Sequence, residues 1–102
     1  MIFVQGWIKV SDKDLETAVI AASAMVLETK KEQGCLHYSF AKDIDEPSLI
    51  HISERWDTEE SLNAHFQTPH MSAFNIAISE LTIEAMDVRL YSGDEVRVMM
   101  QS

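Results

Sequence analysis

Cysteine, proline and glycine are scarce in this chain of 102 residues, which contains one Cys, two Pro and three Gly. A single thiol cannot form an internal disulfide, so the sequence is not that of a disulfide-stabilised secreted scaffold. The three glycines form neither a G-x-G-x-x-G motif nor a phosphate-binding loop ending in Gly-Lys-Ser or Gly-Lys-Thr. Cysteine pairs and a His-Glu-x-x-His motif, which are common signatures of metal sites, are also missing. We therefore predict no cofactor and no metal.

Positive charge is also in short supply, because 8 Lys and Arg residues stand against 17 Asp and Glu, for a formal net charge of −9. Nucleic acids and anionic membranes attract proteins with a surplus of positive charge, which this chain lacks. The longest nearly apolar stretch, residues 18–27, is about half the length of a membrane span. No charged leader followed by an apolar run opens the sequence. We expect a cytoplasmic protein with no nucleic-acid partner and no membrane segment.

Four segments are rich in β-branched and aromatic residues and predict strands: residues 1–10, 35–42, 49–56 and 82–91. The first is apolar on both faces, which is typical of a central strand. A polar turn that contains Pro47 separates the second strand from the third and predicts an antiparallel hairpin. Within the second strand, strict alternation places Leu36 and Tyr38 on one face, and Cys35 and His37 on the other.

Apolar residues at helical spacing predict a first helix that ends near Lys31: Leu15, Val19, Ala22 and Val26. Gly34 suits a left-handed cap. Asp57 or Thr58 begins a second helix, which Thr68-Pro69 divides into two pieces. The resulting order, β-α-β-β-α-β, predicts an α+β, ferredoxin-like fold with a four-stranded antiparallel sheet and the helices on one face. Residues 93–102 are predicted to be an edge strand or a tail of this one domain, 1–102.

A chain of this length buries only about two thirds of its unfolded surface, so its core is thin. The sheet face that the helices leave free carries apolar residues as well, including Phe3 and Trp7. We therefore predict a homodimer in which the two sheets pack face to face.

His65 and His70 flank the break between the two helical pieces, where their side chains can point into a cleft. Imidazole exchanges protons in the physiological pH range, so both are candidate catalytic groups. The alternative is that they only bond backbone groups freed at the break. Their spacing, with Pro69 between them, is poor for two metal ligands on one helical face, and a site that adds His51 would require the three rings to converge.

Glu54 shares a strand face with Ile52 and Trp56, and a carboxylate on an apolar face must be paired, hydrogen-bonded or protonated. It is therefore either a general base or a structural partner. Aromatic residues are available to line a pocket, with plain core packing as the alternative: Trp7, Tyr38, Trp56, Phe66 and Phe74. Asn63 and Arg89 are candidates for orienting a substrate, although either can simply face solvent. Cys35 is expected to be a structural thiol.

Four stretches carry a resemblance to a known family: Gly34-Cys-Leu-His-Tyr-Ser-Phe, Asp45-Glu-Pro47, Ser53-Glu-Arg-Trp56 and His65-Phe-Gln-Thr-Pro-His70. Together they resemble the antibiotic biosynthesis monooxygenase (ABM) domain family, of the dimeric α+β barrel superfamily. The resemblance extends over about residues 1–92 and agrees with the β-α-β-β-α-β order. It implies a homodimer built from ferredoxin-like domains.

Members of this family that oxidise polycyclic aromatic phenols or quinols use molecular oxygen without a flavin, haem or metal. The resemblance implies that aromatic residues here form the walls for a small aromatic substrate, namely Tyr38, Trp56, Phe66 and Phe74. It implies further that polar residues position or deprotonate the phenol, namely His65, His70, Asn63 and Arg89.

Other relatives suggest other activities. Haem-degrading members rely on an Asn in the first strand and a Trp in the second helical region. This chain has Gln5 in that strand and His65 near the position of the Trp. The comparison therefore argues against haem degradation. A relative that isomerises a small phosphorylated carbonyl compound implies proton transfer by Glu54 and a histidine, with Arg55 or Arg89 for phosphate. A non-catalytic dimer that binds a small molecule is the third alternative.

Overall fold

A computed structural model describes residues 1–102 and contains four strands: β1 (Ile2–Val10), β2 (Cys35–Lys42), β3 (Leu49–Trp56) and β4 (Ile83–Ser92). They form one antiparallel sheet in the order β2-β3-β1-β4. The helices are α1 (Leu15–Thr29), α2 (Glu59–His65) and α3 (Pro69–Ser79), and a short 3₁₀ turn precedes α1. This architecture confirms the predicted α+β, ferredoxin-like fold. None of the helices combines the length and apolar character needed to cross a membrane.

The central position of β1 places its alternate residues on two distinct surfaces. Ile2 and Val4 are buried beneath the helices, whereas Phe3 and Trp7 lie on the opposite face of the sheet, which we call the outer face. β1 and β4 approach closely at Gly6, where an added Cβ would lie 2.5 Å from the Cα of Val88. A residue with a side chain at this point would push the two strands apart.

A β-bulge at the start of β2 makes the prediction of strict alternation wrong for its first two residues. Cys35 pairs with Trp56 and His37 pairs with Arg55, so Leu36 is the extra residue of the bulge. Cys35 consequently packs with Tyr38 against the core beneath the helices. Leu36, predicted to share the face of Tyr38, is 52% exposed.

The buried side of α1 is rotated from the predicted one. Ala18, Ala22, Met25 and Thr29 are its buried residues, whereas the other predicted positions are only half-buried. The small side chains of the two alanines let α1 approach the sheet closely. Thr29 is tolerated inside because its hydroxyl donates to the carbonyl of Met25 at 2.7 Å. The helix also ends two residues before the predicted Lys31.

Two threonine caps define the break between α2 and α3. Thr58 is the N-cap of α2 and accepts a hydrogen bond from the amide of Ser61, and Thr68 is the N-cap of α3 and accepts one from the amide of Met71. Pro69 occupies the first turn of α3, where its missing N–H costs nothing. The break therefore falls where the sequence predicts it, and it places His65 at the end of α2 and His70 at the start of α3.

The helices cover the sheet unevenly. The central core residues lie on β1, β3, β2 and the helices facing them: Ile2, Val4, Met25, Tyr38, Trp56 and Leu62. On the same face of the sheet, Met86, Val88 and Leu90 of β4 remain about half exposed, and no residue of α3 is fully buried. Residues 93–102 form no strand and are exposed in the single chain.

Candidate functional site

Two histidines converge on one carboxylate at the break between α2 and α3. Nδ1 of His65 lies 2.6 Å from Oε2 of Glu32, and Nε2 of His70 lies 2.7 Å from the same oxygen. Glu32 belongs to the connection between α1 and β2, so the three residues come from three different segments. We call this group the Glu32–His65–His70 cluster.

The position of Glu32 depends on the turn that follows α1. Its backbone amide donates to the carbonyl of Thr29 at 2.9 Å. Gly34 then adopts a φ of 85°, in the left-handed region that glycine tolerates best, and its carbonyl accepts the amide of Asp57. This second bond ties the connection to the start of the α2 segment, and the turn thereby brings Glu32 within reach of both histidines.

The shared carboxylate determines which nitrogen of each imidazole carries the proton. An ionised carboxylate only accepts hydrogen bonds, so the nitrogens that face Oε2 of Glu32 must both be N–H donors. His65 is then protonated on Nδ1 and His70 on Nε2. In the neutral rings this leaves a lone pair on Nε2 of His65 and on Nδ1 of His70, and these atoms are the proton acceptors of the cluster.

Aromatic rings surround His65. The ring centroid of Trp56 lies 5.0 Å from that of His65, and the centroids of Tyr38 and Phe66 lie 5.4 and 5.8 Å away. Only 1% of the His65 side chain is exposed, against 19% for His70 and 15% for Glu32. Solvent or a ligand therefore reaches the cluster from the side of His70 and Glu32, while His65 forms its inner end.

A second carboxylate, that of Glu54, lies beneath the same aromatic residues. It is 8% exposed, and its Oε1 accepts a hydrogen bond from Nε1 of Trp56 at 2.9 Å. Burial raises the pKa of Glu54 to about 7, although the bond from Trp56 opposes this shift. Burial and the negative charge of Glu54 also raise the pKa of Tyr38, its cross-strand neighbour, so Tyr38 stays protonated.

The remaining predicted site residues lie at varying distances from the cluster. Phe74 is half-buried and packs edge-on against Phe40, with ring centroids 5.7 Å apart. Phe66 is 49% exposed beside His65, and Asn63 is exposed on α2. Arg89 lies on the outer face, paired with Gln5 of β1, and donates to both carboxylate oxygens of Asp87 at 2.8 and 3.0 Å. The structure does not bring Arg89 to the cluster.

His51 does not join the other two histidines either. It projects from the outer face of β3 and bonds Asp43 at 2.6 Å, so the convergence of His51, His65 and His70 that a metal site would require does not occur. Cys35 is free, and burial, with the nearby Glu32, raises the pKa of its thiol. A protonated, half-buried thiol is a poor nucleophile.

Two depressions of the surface lie away from the cluster. One, of about 420 Å³, runs between α1 and the β2–β3 hairpin and is lined by Val26 and Phe40 among others. Another, of about 440 Å³, lies on the outer face around Trp7 and Arg89. A small void of about 10 Å³ lies between the helices and the sheet, beside Phe74 and Ile8.

Comparison with known proteins places this chain in a family. Residues 1–76 match the family model described as antibiotic biosynthesis monooxygenase. The Escherichia coli K12 protein named "Probable quinol monooxygenase YgiN" is 33% identical over 82 residues, which cover 72% of this chain and 78% of that protein. An uncharacterized protein of Synechocystis, sll1783, is 28% identical over 96% of this chain and 67% of its own length.

Solved structures agree at the level of the fold. A Deinococcus radiodurans crystal structure described as a "putative antibiotic biosynthesis monooxygenase" superposes with a TM-score of 0.90, covering 99% of this chain and 100% of that one at 22% identity. The match of the family model to three quarters of the chain, together with the YgiN similarity, establishes what the resemblance in the sequence indicated. This chain belongs to the antibiotic biosynthesis monooxygenase family.

Proposed function

We propose that this protein is a cofactor-independent monooxygenase that oxidises a small aromatic phenol or quinol with molecular oxygen. The observation that carries the proposal is the Glu32–His65–His70 cluster, a shared carboxylate that orients two imidazoles beside the rings of Tyr38 and Trp56. Family membership and the relative named "Probable quinol monooxygenase YgiN" support the same class of reaction.

The first step of the proposed reaction is removal of the phenolic proton. His70 is the more exposed histidine, and Glu32 holds it with Nδ1 free to accept that proton. The imidazolium that forms is stabilised by the carboxylate of Glu32, 2.7 Å from Nε2. Because Glu32 is only 15% exposed, its negative charge at His70 is screened less than that of a carboxylate in open solvent.

The phenolate then reacts with oxygen directly. One electron passes from the phenolate to O₂, and the resulting aryloxyl radical and superoxide combine at a ring carbon that carries hydrogen, forming a C–O bond. The proton held on His70 is transferred to the peroxide. Loss of the C–H proton with cleavage of the O–O bond gives a carbonyl at that carbon and releases the second oxygen atom as water. Substrate and O₂ therefore supply every electron.

Of the four predicted aromatic residues, Phe66 and the half-buried Phe74 are proposed to contact the flat substrate. Tyr38 and Trp56 are 2% and 0% exposed, so they support His65 from within the core instead of touching the substrate. Phe66, which is 49% exposed, would be covered by such a ligand. Asn63, exposed on α2, stays a predicted contact at the mouth of the site. Because Arg89 points from the opposite face of the sheet, we do not include it among the residues proposed to bind substrate.

We propose further that the protein acts as a cytoplasmic homodimer that pairs through the outer faces of the two sheets. Phe3 and Trp7 of β1 and Tyr91 of β4 place apolar area on that face, and Tyr91 is half exposed in the single chain. Aromatic residues left open to water on one side of a four-stranded sheet favour burial against a second copy.

A second candidate function, isomerisation of a small carbonyl compound, is favoured by Glu54. A carboxyl group with a pKa of about 7 both accepts and donates protons at neutral pH, as proton transfer beside a carbonyl requires. The phosphorylated substrate of the corresponding relative is not supported, however, because Arg55 and Arg89 both lie on the outer face, away from Glu54.

Oxygen uptake by tag-free, chelator-treated protein tests the proposal, with a panel of hydroquinones, naphthols and anthrones as substrates. We expect uptake above the spontaneous rate with at least one of them. His70→Ala should lower the turnover rate about 100-fold or more, since it removes the proposed base. His51→Ala is the matched control, because His51 also bonds a carboxylate at 2.6 Å but lies on the outer face.

Two results would contradict the proposal. Uptake that is equal in His70→Ala and in the unaltered protein would remove the cluster from the mechanism. If no panel member is oxidised, exchange of deuterium from solvent into a carbonyl substrate would instead support the isomerase, and tight binding without turnover would indicate a ligand-binding dimer.

A further inference from the structure

We propose that the Glu32–His65–His70 cluster is also a binding site for one Zn²⁺ ion. The ligands would be Nδ1 of His65, Nε2 of His70 and a carboxylate oxygen of Glu32. These three atoms lie within 4.8 Å of one another, and two of the three separations, 2.6 and 2.7 Å, are hydrogen bonds that a metal ion would replace. The site is distinct from the His51 site that the sequence suggested, because Glu32 takes the place of His51.

The donor set suits zinc. Two imidazole nitrogens and one carboxylate oxygen, with a fourth position for water, form a coordination pattern common in zinc proteins. At Zn–N and Zn–O distances near 2.0 Å, tetrahedral coordination separates neighbouring ligand atoms by about 3.3 Å. The two histidine nitrogens, which lie within 4.8 Å of each other, must also come to this separation, and Glu32 must move about 0.6 Å from each of them. Its partial exposure and its position in a connection between elements allow this movement.

The residues around the cluster favour a borderline-soft divalent cation such as Zn²⁺ over a hard one such as Mg²⁺. Imidazole nitrogen binds zinc well, whereas Mg²⁺ prefers oxygen ligands. The aromatic rings around His65 limit the number of water molecules that compete for the metal. The chain, with a net charge of −9, also attracts cations at long range.

Zinc at this site would block the proposed oxygenation, and this consequence, unlike binding itself, rests on the proposed function. Zinc on Nε2 of His70 requires the remaining ring proton to sit on Nδ1. The atom assigned as the acceptor of the phenolic proton is then protonated, and Glu32 is no longer available to stabilise the imidazolium. Zinc is thus expected to act as an inhibitor of the enzyme.

Isothermal titration calorimetry of tag-free protein with ZnCl₂, in the absence of substrate, tests the binding. We expect one Zn²⁺ per chain, with at least tenfold weaker binding in Glu32→Gln and in His70→Ala. The control His51→Ala should bind like the unaltered protein, because the His51–Asp43 pair offers only two ligands, both partly exposed. MgCl₂ should give no comparable heat. Zinc at 100 times its Kd should raise the melting temperature by about 10–20 °C.

X-ray absorption at the zinc edge makes the test independent of whether the variants fold, because it uses the unaltered protein. Two imidazole nitrogens and at least one oxygen at about 2.0 Å support the site. One imidazole or none, unchanged affinity in both cluster variants, or loss of binding in His51→Ala would overturn it. Because these measurements involve no substrate, they stand even if the protein oxidises no phenol, and oxygen uptake at rising zinc concentration separately tests the inhibition.

Discussion

The indole N–H of Trp56 donates a hydrogen bond of 2.9 Å to the carboxylate of Glu54, two residues earlier on the same face of β3. Both side chains are buried, and none of the ion pairs of the structure includes Glu54. A neutral donor offsets only part of the cost of burying a charge, so burial dominates and raises the pKa of Glu54 to about 7. Ionisation of Glu54 near neutral pH therefore destabilises the folded state.

Replacing Glu54 by Gln should reduce the pH dependence of stability. In the unfolded chain the carboxyl loses its proton near its ordinary pKa of 4.5, whereas in the folded chain it keeps the proton until pH rises to about 7. Between these values the folded state binds more protons, so its stability falls as pH rises. We expect Glu54→Gln to gain about 2–3 kcal/mol relative to the unaltered protein between pH 5 and pH 8.

Urea unfolding of both proteins at pH 5 and pH 8 measures this difference. Comparing the two pH values within each protein cancels any fixed effect of the amide on packing. Equal pH dependence in the two proteins would mean that Glu54 ionises at its ordinary pKa. The same variant also assigns the role of Glu54, because preserved activity would show that it acts only as the partner of Trp56.

Gly34→Ala should destabilise the fold strongly. Gly34 has a φ of 85°, and an added Cβ would lie 2.5 Å from Oδ1 of Asp57 and 2.6 Å from the Cβ of Ser61. Left-handed backbone costs about 1–2 kcal/mol for a residue with a side chain, and the clash adds to this, so we expect a loss of about 2–3 kcal/mol.

Gly93→Ala is the matched control for that substitution, since a Cβ at Gly93 meets nothing within 4 Å and its φ lies outside the left-handed region. Its stability in thermal unfolding should match that of the unaltered protein. A Gly34→Ala protein that melts at the same temperature as the Gly93→Ala protein would show that the turn after α1 is not constrained.

Elements that depend on local patterns could be predicted from the sequence. The bounds of β2 and β3 follow from alternating apolar residues between a glycine, a proline-containing turn and a threonine cap. The break between α2 and α3 follows from Thr68-Pro69, because proline at the first helical position and threonine before it are strong local signals. The ferredoxin-like topology follows from the order of these elements.

Features that depend on contacts distant in the chain could not be predicted. Glu32 lies 33 residues from His65 and 38 from His70, and a charged residue next to a helix end is indistinguishable in sequence from a solvated one. The bulge that turns Cys35 toward the core also leaves no local signal in the sequence, because it is defined by the register between β2 and β3. The rotation of the buried side of α1 reflects how closely two alanines let it approach the sheet.

Trp7→Glu tests the proposed homodimer. Trp7 lies on the outer face, where it pairs with His51 and Asp87 of the flanking strands, and a carboxylate there would lose its solvent at the proposed interface beside the negative charge of Asp87. Light scattering at micromolar concentration should give about twice the chain mass of 11.6 kDa for the unaltered protein and a single chain mass for Trp7→Glu. Ile20→Glu, at a 65% exposed position on α1, introduces the same charge on the helical side and should stay dimeric. If the unaltered protein has the mass of one chain, the sheet faces do not pair. If Ile20→Glu separates the chains and Trp7→Glu does not, the two chains pair through their helices, because the added charge then lies at the interface.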